Sequence, residues 1–314
     1  MFNPEKFIEE QTAKLAEEID GKTIIAVSGG VDSTVAAVLA GRAIGEKLFA
    51  VYVNNGFMRK NEDAVVAKAF ESTGVRYKIL DSSEEFLEAL KGVVDPEEKR
   101  IIIGNKFIEI FEREAKAWGA EYLVQGTIAP DWIESGGQLR DTIKSHHNVG
   151  GLPSSMKLRL VEPLRDLYKD EVRKVARSLG VSVSERQPFP GPALAIRILG
   201  EVTPERVEVV REACAIVEEE IERAAAAGKM DIPWQYFAVL LPVKSVGVQG
   251  DIRAYGNTVA VRAVESVDGM TAKYMRIPHD ILEKMSVRIT NEIKSVNRVV
   301  YDITHKPPAT IEWE

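Results

Sequence analysis

Residues 27 to 34 read Val-Ser-Gly-Gly-Val-Asp-Ser-Thr, a run that combines hydroxyls, a glycine pair and one carboxylate. Such a run suits phosphate binding. Gly29 and Gly30 let the backbone approach an anion without interference from a Cβ. Ser28 and Ser33 add hydroxyl donors. The run does not end in the Gly-Lys-Ser/Thr of a Walker A loop, so γ-phosphate transfer is not its natural chemistry. It also lacks the GxGxxG of a dinucleotide fold.

Two elements must hold this loop. Ile24–Val27 is short and apolar and reads as a buried strand, and Ser33–Ile44 is Ala-rich and reads as a helix. A strand, a glycine turn and a helix start form a cradle in which loop N–H groups and the positive end of the helix face the ligand. Turn-forming and capping preferences alone also place Ser, Gly and Asp in such turns. Asp32 therefore has three readings: it orients the loop N–H groups, it touches Mg²⁺, or it caps the helix.

The first half of the chain repeats this alternation. Strands are expected at Ile24–Val27, Leu48–Val53, Val75–Leu80, Tyr122–Gln125 and Leu158–Val161. Helices are expected at Pro4–Ile19, Ser33–Ile44, Asn61–Ser72, Pro96–Trp118 and Lys169–Leu179. Short apolar runs between amphipathic helices imply a doubly wound parallel α/β sheet covered on both faces. Ligands of such sheets sit beyond the strands' carboxyl ends, where Ser28–Asp32, Asn54–Gly56 and Gln125–Thr127 fall. Ala129 to Pro153 is too long for an ordinary connection and reads as a lid.

A Pro-rich stretch, Gln187 to Pro192, marks a boundary, giving domains 1–186 and 187–314. The second is expected to be a smaller α+β unit. Its helices are Thr203–Ala227 and Asp280–Lys294, and its strands Phe237–Val243, Thr258–Val264 and Arg298–Ile303.

Composition sets the outer limits. Apolar residues make 45% of the 314 and charged residues 28%, the balance of an ordinary globular chain with ample core. A net charge of −7 argues against a general nucleic-acid or membrane surface, so phosphate must meet local positive charge. The single cysteine, Cys214, excludes a disulfide framework and a CxxC metal or redox pair, and its helical surroundings read as core. The opening Met-Phe-Asn-Pro-Glu-Lys lacks the apolar run of a signal peptide, so a cytoplasmic location is expected.

Ser-Gly-Gly-Val-Asp-Ser resembles the PP-loop of ATP pyrophosphatases, which split ATP into AMP and pyrophosphate. Five further segments narrow the resemblance: Gln125 to Ser135, Ile143 to Pro153, Pro188 to Arg197, Ser245 to Asp251, and Lys306 to Glu314. Together they are similar to the synthetase part of the GMP synthetases from about residue 20 onward. The resemblance implies a ligase of purine biosynthesis that uses ATP and Mg²⁺. ATP would adenylate xanthosine monophosphate (XMP) at O2, and ammonia would then displace AMP to give GMP. Little chain precedes the PP-loop strand, so a separate glutaminase subunit is the expected ammonia source, and the second domain is expected to form a homodimer.

The resemblance also carries residues over. Ser28, Gly29, Gly30, Val31, Asp32, Ser33 and Thr34 would hold the phosphates, with Val27, Val53 and Gly126 beside adenine. Lys144, His146 and His147 would close over the phosphates, although adjacent histidines alone also suggest a metal site. Lys169 would approach pyrophosphate, unless it is one more charge on a solvated helix. Arg100, Gln235, Asp251, Lys306 and Glu312 would contact XMP. Two departures stand out. Asn54 replaces a usual Asp, and Ala193 replaces a usual Gly, where a positive φ would cost Ala more than Gly. Rival readings are another PP-loop ligase, such as an NAD synthetase or a tRNA thiolase, and a nucleotide sensor that binds ATP without turnover.

Overall fold

A computed structural model describes residues 2–71, 73–129, 158–181, 187–249, 252–267 and 269–314. The chain divides into two units. One comprises residues Met1–Asn55, Asn61–Ser83 and Gly104–Glu185, and the other Gly56–Lys60, Glu84–Ile103 and Arg186–Glu314. Two segments from the first half thus group with the C-terminal part, which the boundary read from the prolines did not anticipate.

The first unit is built on five parallel strands: β1 (Thr23–Ala26), β2 (Leu48–Asn54), β3 (Tyr77–Asp81), β4 (Tyr122–Val124) and β5 (Arg159–Val161). Their order is β3-β2-β1-β4-β5. The expected strands are all present, displaced by two residues or fewer at any end. Thr23, Ile24 and Ile25 are buried, as a central strand covered on both faces requires. Helices α1 (Pro4–Glu18), α2 (Val31–Ile44) and α6 (Lys169–Ser178) pack on one another, and α3 (Glu62–Glu71) packs on β3. Asn3 caps α1 through its side chain, and Pro4 follows at the first helical position. The run Thr34–Ala40 of α2 is buried throughout, which explains its alanines.

The strand order fixes the site. Chain direction reverses about β1, which pairs with β2 on one side and β4 on the other. The crevice beyond β1 and β4 is the switch point where open α/β sheets bind ligands. The glycine turn after β1 and Gln125–Thr127 after β4 both end there.

The second unit carries a mixed sheet. Strands β6 (Gln235–Gln249) and β7 (Ile252–Glu265) form a long antiparallel pair. The short β8 (Lys273–Tyr274) also runs antiparallel to β7, whereas β9 (Val296–Tyr301) runs parallel to it. Helices α7 (Pro204–Ala226) and α8 (His279–Glu292) pack on each other, with α7 on β6 and α8 on β9. Thr203 caps α7, accepting from the Arg206 N–H, with Pro204 following. Two helices link the sequence halves: α4 (Ser83–Ala89), and α5 (Pro96–Trp118), whose first turns group with this unit. Cys214 lies buried on α7, its Sγ 3.4 Å from the Ala238 carbonyl oxygen, and burial pushes its thiol pKa up. It is a core residue and a poor nucleophile.

Ala193 opens a 3₁₀ turn, Ala193–Arg197, at φ 57°. A left-handed conformation costs a non-glycine residue about 1–2 kcal/mol. Burial of the methyl group, worth about 0.8 kcal/mol, offsets part of that cost. Among the described residues no helix is long and apolar enough to cross a membrane.

Candidate active site

Helix α2 begins with no side-chain cap. Its N-cap is Gly30, at φ −78° and ψ 159°, so nothing on that residue competes for the helix's first N–H groups. Gly29 precedes it at φ 76°, and a Cβ there would lie 3.1 Å from a Glu62 carboxylate oxygen. Hydroxyls stitch the turn internally. Ser33 Oγ donates to the Gly30 carbonyl at 3.2 Å and accepts the Ser28 N–H at 3.2 Å. Thr34 Oγ1 donates to the same carbonyl at 2.8 Å. Ser28 and Ser33 thus preorganise the loop, and the positive end of the helix faces outward.

Lys169, the first residue of α6, reaches this helix end. Its ammonium donates to Asp32 Oδ2 at 2.5 Å, and the Lys and Asp side chains are 48% and 24% exposed. The Tyr168 N–H donates to the Glu171 carboxylate at 3.0 Å, which fixes the start of α6 and the lysine's origin. The two side chains lie 137 residues apart in sequence, and the structure brings them together. The other oxygen of Asp32, Oδ1, is buried and has no hydrogen-bond partner.

Gly126 packs directly against the loop's helix. A Cβ built there would fall 2.9 Å from the Ser33 nitrogen and 3.0 Å from the Asp32 carbonyl carbon. The glycine is required by close backbone approach, a reason the sequence reading did not contain. Val27 and Val53 end their strands, buried at 4% and 6% exposure. The side chain of Asn54 donates to Asp63 at 2.7 Å, so this position is a hydrogen-bond donor to a carboxylate.

The residues assigned to XMP that fall among the described ones all lie in the second unit. Gln235 Nε2 donates to Glu312 Oε1 at 2.9 Å and to the Pro188 carbonyl at 3.2 Å. Lys306 and Arg100 are engaged elsewhere. The Lys306 ammonium donates to the Gly269 carbonyl at 2.8 Å, and Arg100 donates to the main-chain oxygen of Glu314. Lys144, His146, His147 and Asp251 lie outside the described residues.

The sequence reading gave no role to Arg197. Its side chain is fully buried and forks onto Glu312, with Nη2 to Oε1 at 2.8 Å and Nε to Oε2 at 3.1 Å. The guanidinium lies over the Phe237 ring, 4.0 Å from its centroid. Desolvation pulls its pKa down, and the Glu312 carboxylate outweighs that pull, so the net direction is upward. Two further buried cations hold the tail. Arg262 donates to the Thr304 and Thr310 carbonyls at 2.5 and 3.1 Å. Lys99 donates to the Ile198 carbonyl at 2.7 Å and to the Glu314 carboxylate. Burial pushes Lys99 down and Glu314 up, and their mutual hydrogen bond opposes both shifts.

The fold and the glycine cradle place the first unit in the PP-loop class, and residues 3–110 match the family model described as NAD synthase. Residues 219–313 match that of the GMP synthase C terminal domain. A chain of the two-chain, glutamine-hydrolyzing GMP synthase from Thermococcus kodakarensis is 62% identical over 314 residues, covering 99% of each sequence. The equivalent chains from Pyrococcus abyssi and Methanopyrus kandleri are 60% and 59% identical, each aligned over 100% of both sequences. The protein belongs to this family of glutamine-hydrolyzing GMP synthase subunits, which are ligases.

Proposed function

We propose that this chain makes GMP from XMP in two steps. O2 of XMP attacks the α-phosphorus of ATP and pyrophosphate leaves. Ammonia then adds at C2 and AMP leaves. The observation that carries this reading is the uncapped start of α2 faced by Lys169, within a chain that matches its relatives end to end.

The residues divide the work. N–H groups of the turn from Ser28 to Thr34 bind the β- and γ-phosphates, and they hold the departing pyrophosphate without rearranging. Lys169 supplies a point charge to the same oxygens, and Asp32 holds that ammonium in place. Val27, Val53 and Gly126 line the adenine side. Mg²⁺ would neutralise phosphate charge. The unpartnered Asp32 Oδ1 fits such a cation, which would take its remaining ligands from phosphates and water, because the described residues hold no cluster of three acidic, His or Cys ligands. Arg100 and Lys306 serve as donors to XMP, and Gln235 and Glu312 read its purine or ribose.

Incubating the chain with ATP, XMP and ammonium salt should give GMP, AMP and pyrophosphate by product chromatography. ADP, or ATP bound without turnover, would reject the reading. Lys306→Ala should weaken XMP binding about tenfold and leave ATP binding unchanged; an equal loss of both would remove Lys306 from the acceptor site.

A separate glutaminase subunit supplies the ammonia in this reading, in keeping with the names of the relatives, which describe one chain of a glutamine-hydrolyzing enzyme. The chain itself pairs as a homodimer through the second unit, where Val248, Ile252 and Tyr255 are 73%, 74% and 74% exposed on the β6–β7 ribbon. Single apolar residues are common on surfaces, but several on one ribbon suit an interface. Sedimentation at micromolar concentration should show about twice the 34.8 kDa chain mass, and a monomer alone would refute pairing.

A further inference from the structure

We infer that Arg197 is the positioning residue of the acceptor-nucleotide site: it fixes the Glu312 carboxylate in one orientation, so that a single free acceptor position is presented to XMP. This rests on the proposed role of Glu312 in binding XMP.

The count of acceptor positions supports it. An ionised carboxylate offers about four lone-pair positions. Arg197 Nη2 and Gln235 Nε2 both donate to Oε1, and Arg197 Nε donates to Oε2. Three positions are filled, and the one left is on Oε2. It can accept one N–H or O–H from the purine or ribose, and it rejects an acceptor placed there. Glu312 belongs to a segment without regular structure, so its backbone alone does not aim the carboxylate. The guanidinium does, because it cannot move: it is fully buried, it lies over Phe237, and its planar fork matches the carboxylate. Gln235 is in turn held by the Pro188 carbonyl, so a second fixed donor completes the orientation.

The test measures XMP and ATP binding separately, by calorimetry on the full chain. Arg197→Lys keeps the charge and loses the fork. It should weaken XMP binding at least tenfold and leave ATP binding unchanged. Glu312→Asp keeps a carboxylate on the tail but draws it one methylene away from a guanidinium that cannot follow. It should weaken XMP binding to a similar degree, and it serves even if Arg197→Lys does not fold. In a Glu312→Gln background, Arg197→Lys should add less than a threefold further loss, since one residue acts through the other. Additive losses, or a Glu312→Asp chain that binds XMP as tightly as the parent, would overturn the positioning role. If Glu312→Gln alone leaves XMP binding unchanged, the assignment of Glu312 to the acceptor site fails, and this inference fails with it.

Discussion

Gly126→Ala is expected to lower turnover about a hundredfold and to destabilise the chain by about 1–3 kcal/mol. The added methyl has no room, because its nearest neighbours are the Ser33 nitrogen at 2.9 Å and the Asp32 carbonyl carbon at 3.0 Å. Both belong to the backbone of the first turn of α2, where no flexible side-chain end can swing away. The start of the helix must shift relative to β4. Overpacking of this kind costs about 1–3 kcal/mol. The kinetic effect is larger than the stability effect because the displaced atoms are those that orient the phosphate-binding N–H groups. A misplacement on the order of 1 Å can cost about a hundredfold in rate. Thermal unfolding and steady-state kinetics on one preparation check both parts. Full activity with a lowered melting temperature would show that the close approach serves packing alone.

Lys169→Ala gives the opposite signature. Turnover should fall by about 10²–10³, the range for losing one donor to developing charge. Stability should hardly change, because the Lys169–Asp32 pair is partly solvated and such pairs contribute about 0–1 kcal/mol. ATP affinity should fall less than turnover does, since the ammonium acts most strongly as pyrophosphate gains charge. Single-turnover measurement of AMP formation separates binding from chemistry. An unchanged rate would make the lysine one more solvated charge on its helix.

The sheet was legible because each parallel strand is a short apolar run with turn residues after it, and buried strands must read that way. Helix α5 was legible to the residue, since Pro96 sets its start and Gly119 follows its end. Helix α4 was missed: seven residues with only Phe86 buried leave no periodicity to detect. Strands β6 and β7 run well past the segments the sequence suggested. Beyond the irregularity at Leu240 and Lys244 the pair continues as a ribbon held by hydrogen bonds, without the burial that writes a hydrophobic pattern. In the site, the glycine cradle was visible as a contiguous motif. The partnership of Lys169 with Asp32 and the fork of Arg197 on Glu312 were not, because each joins residues more than a hundred positions apart. Arg197 also closes an otherwise apolar turn, so nothing local distinguishes it from a surface arginine.

The three buried cations beneath the tail have a joint consequence. Arg262, Arg197 and Lys99 fasten successive stretches, at Thr304 and Thr310, at Glu312, and at Glu314. Peeling back any one stretch strands a charge in a dry interior, and a stranded charge is far more costly than a lost contact. The segment therefore cannot fray from its end one residue at a time, as an irregular terminus ordinarily does. It behaves as a latch with two settings, fully seated or fully released, and the acceptor-reading carboxylate exists in its working form only in the first.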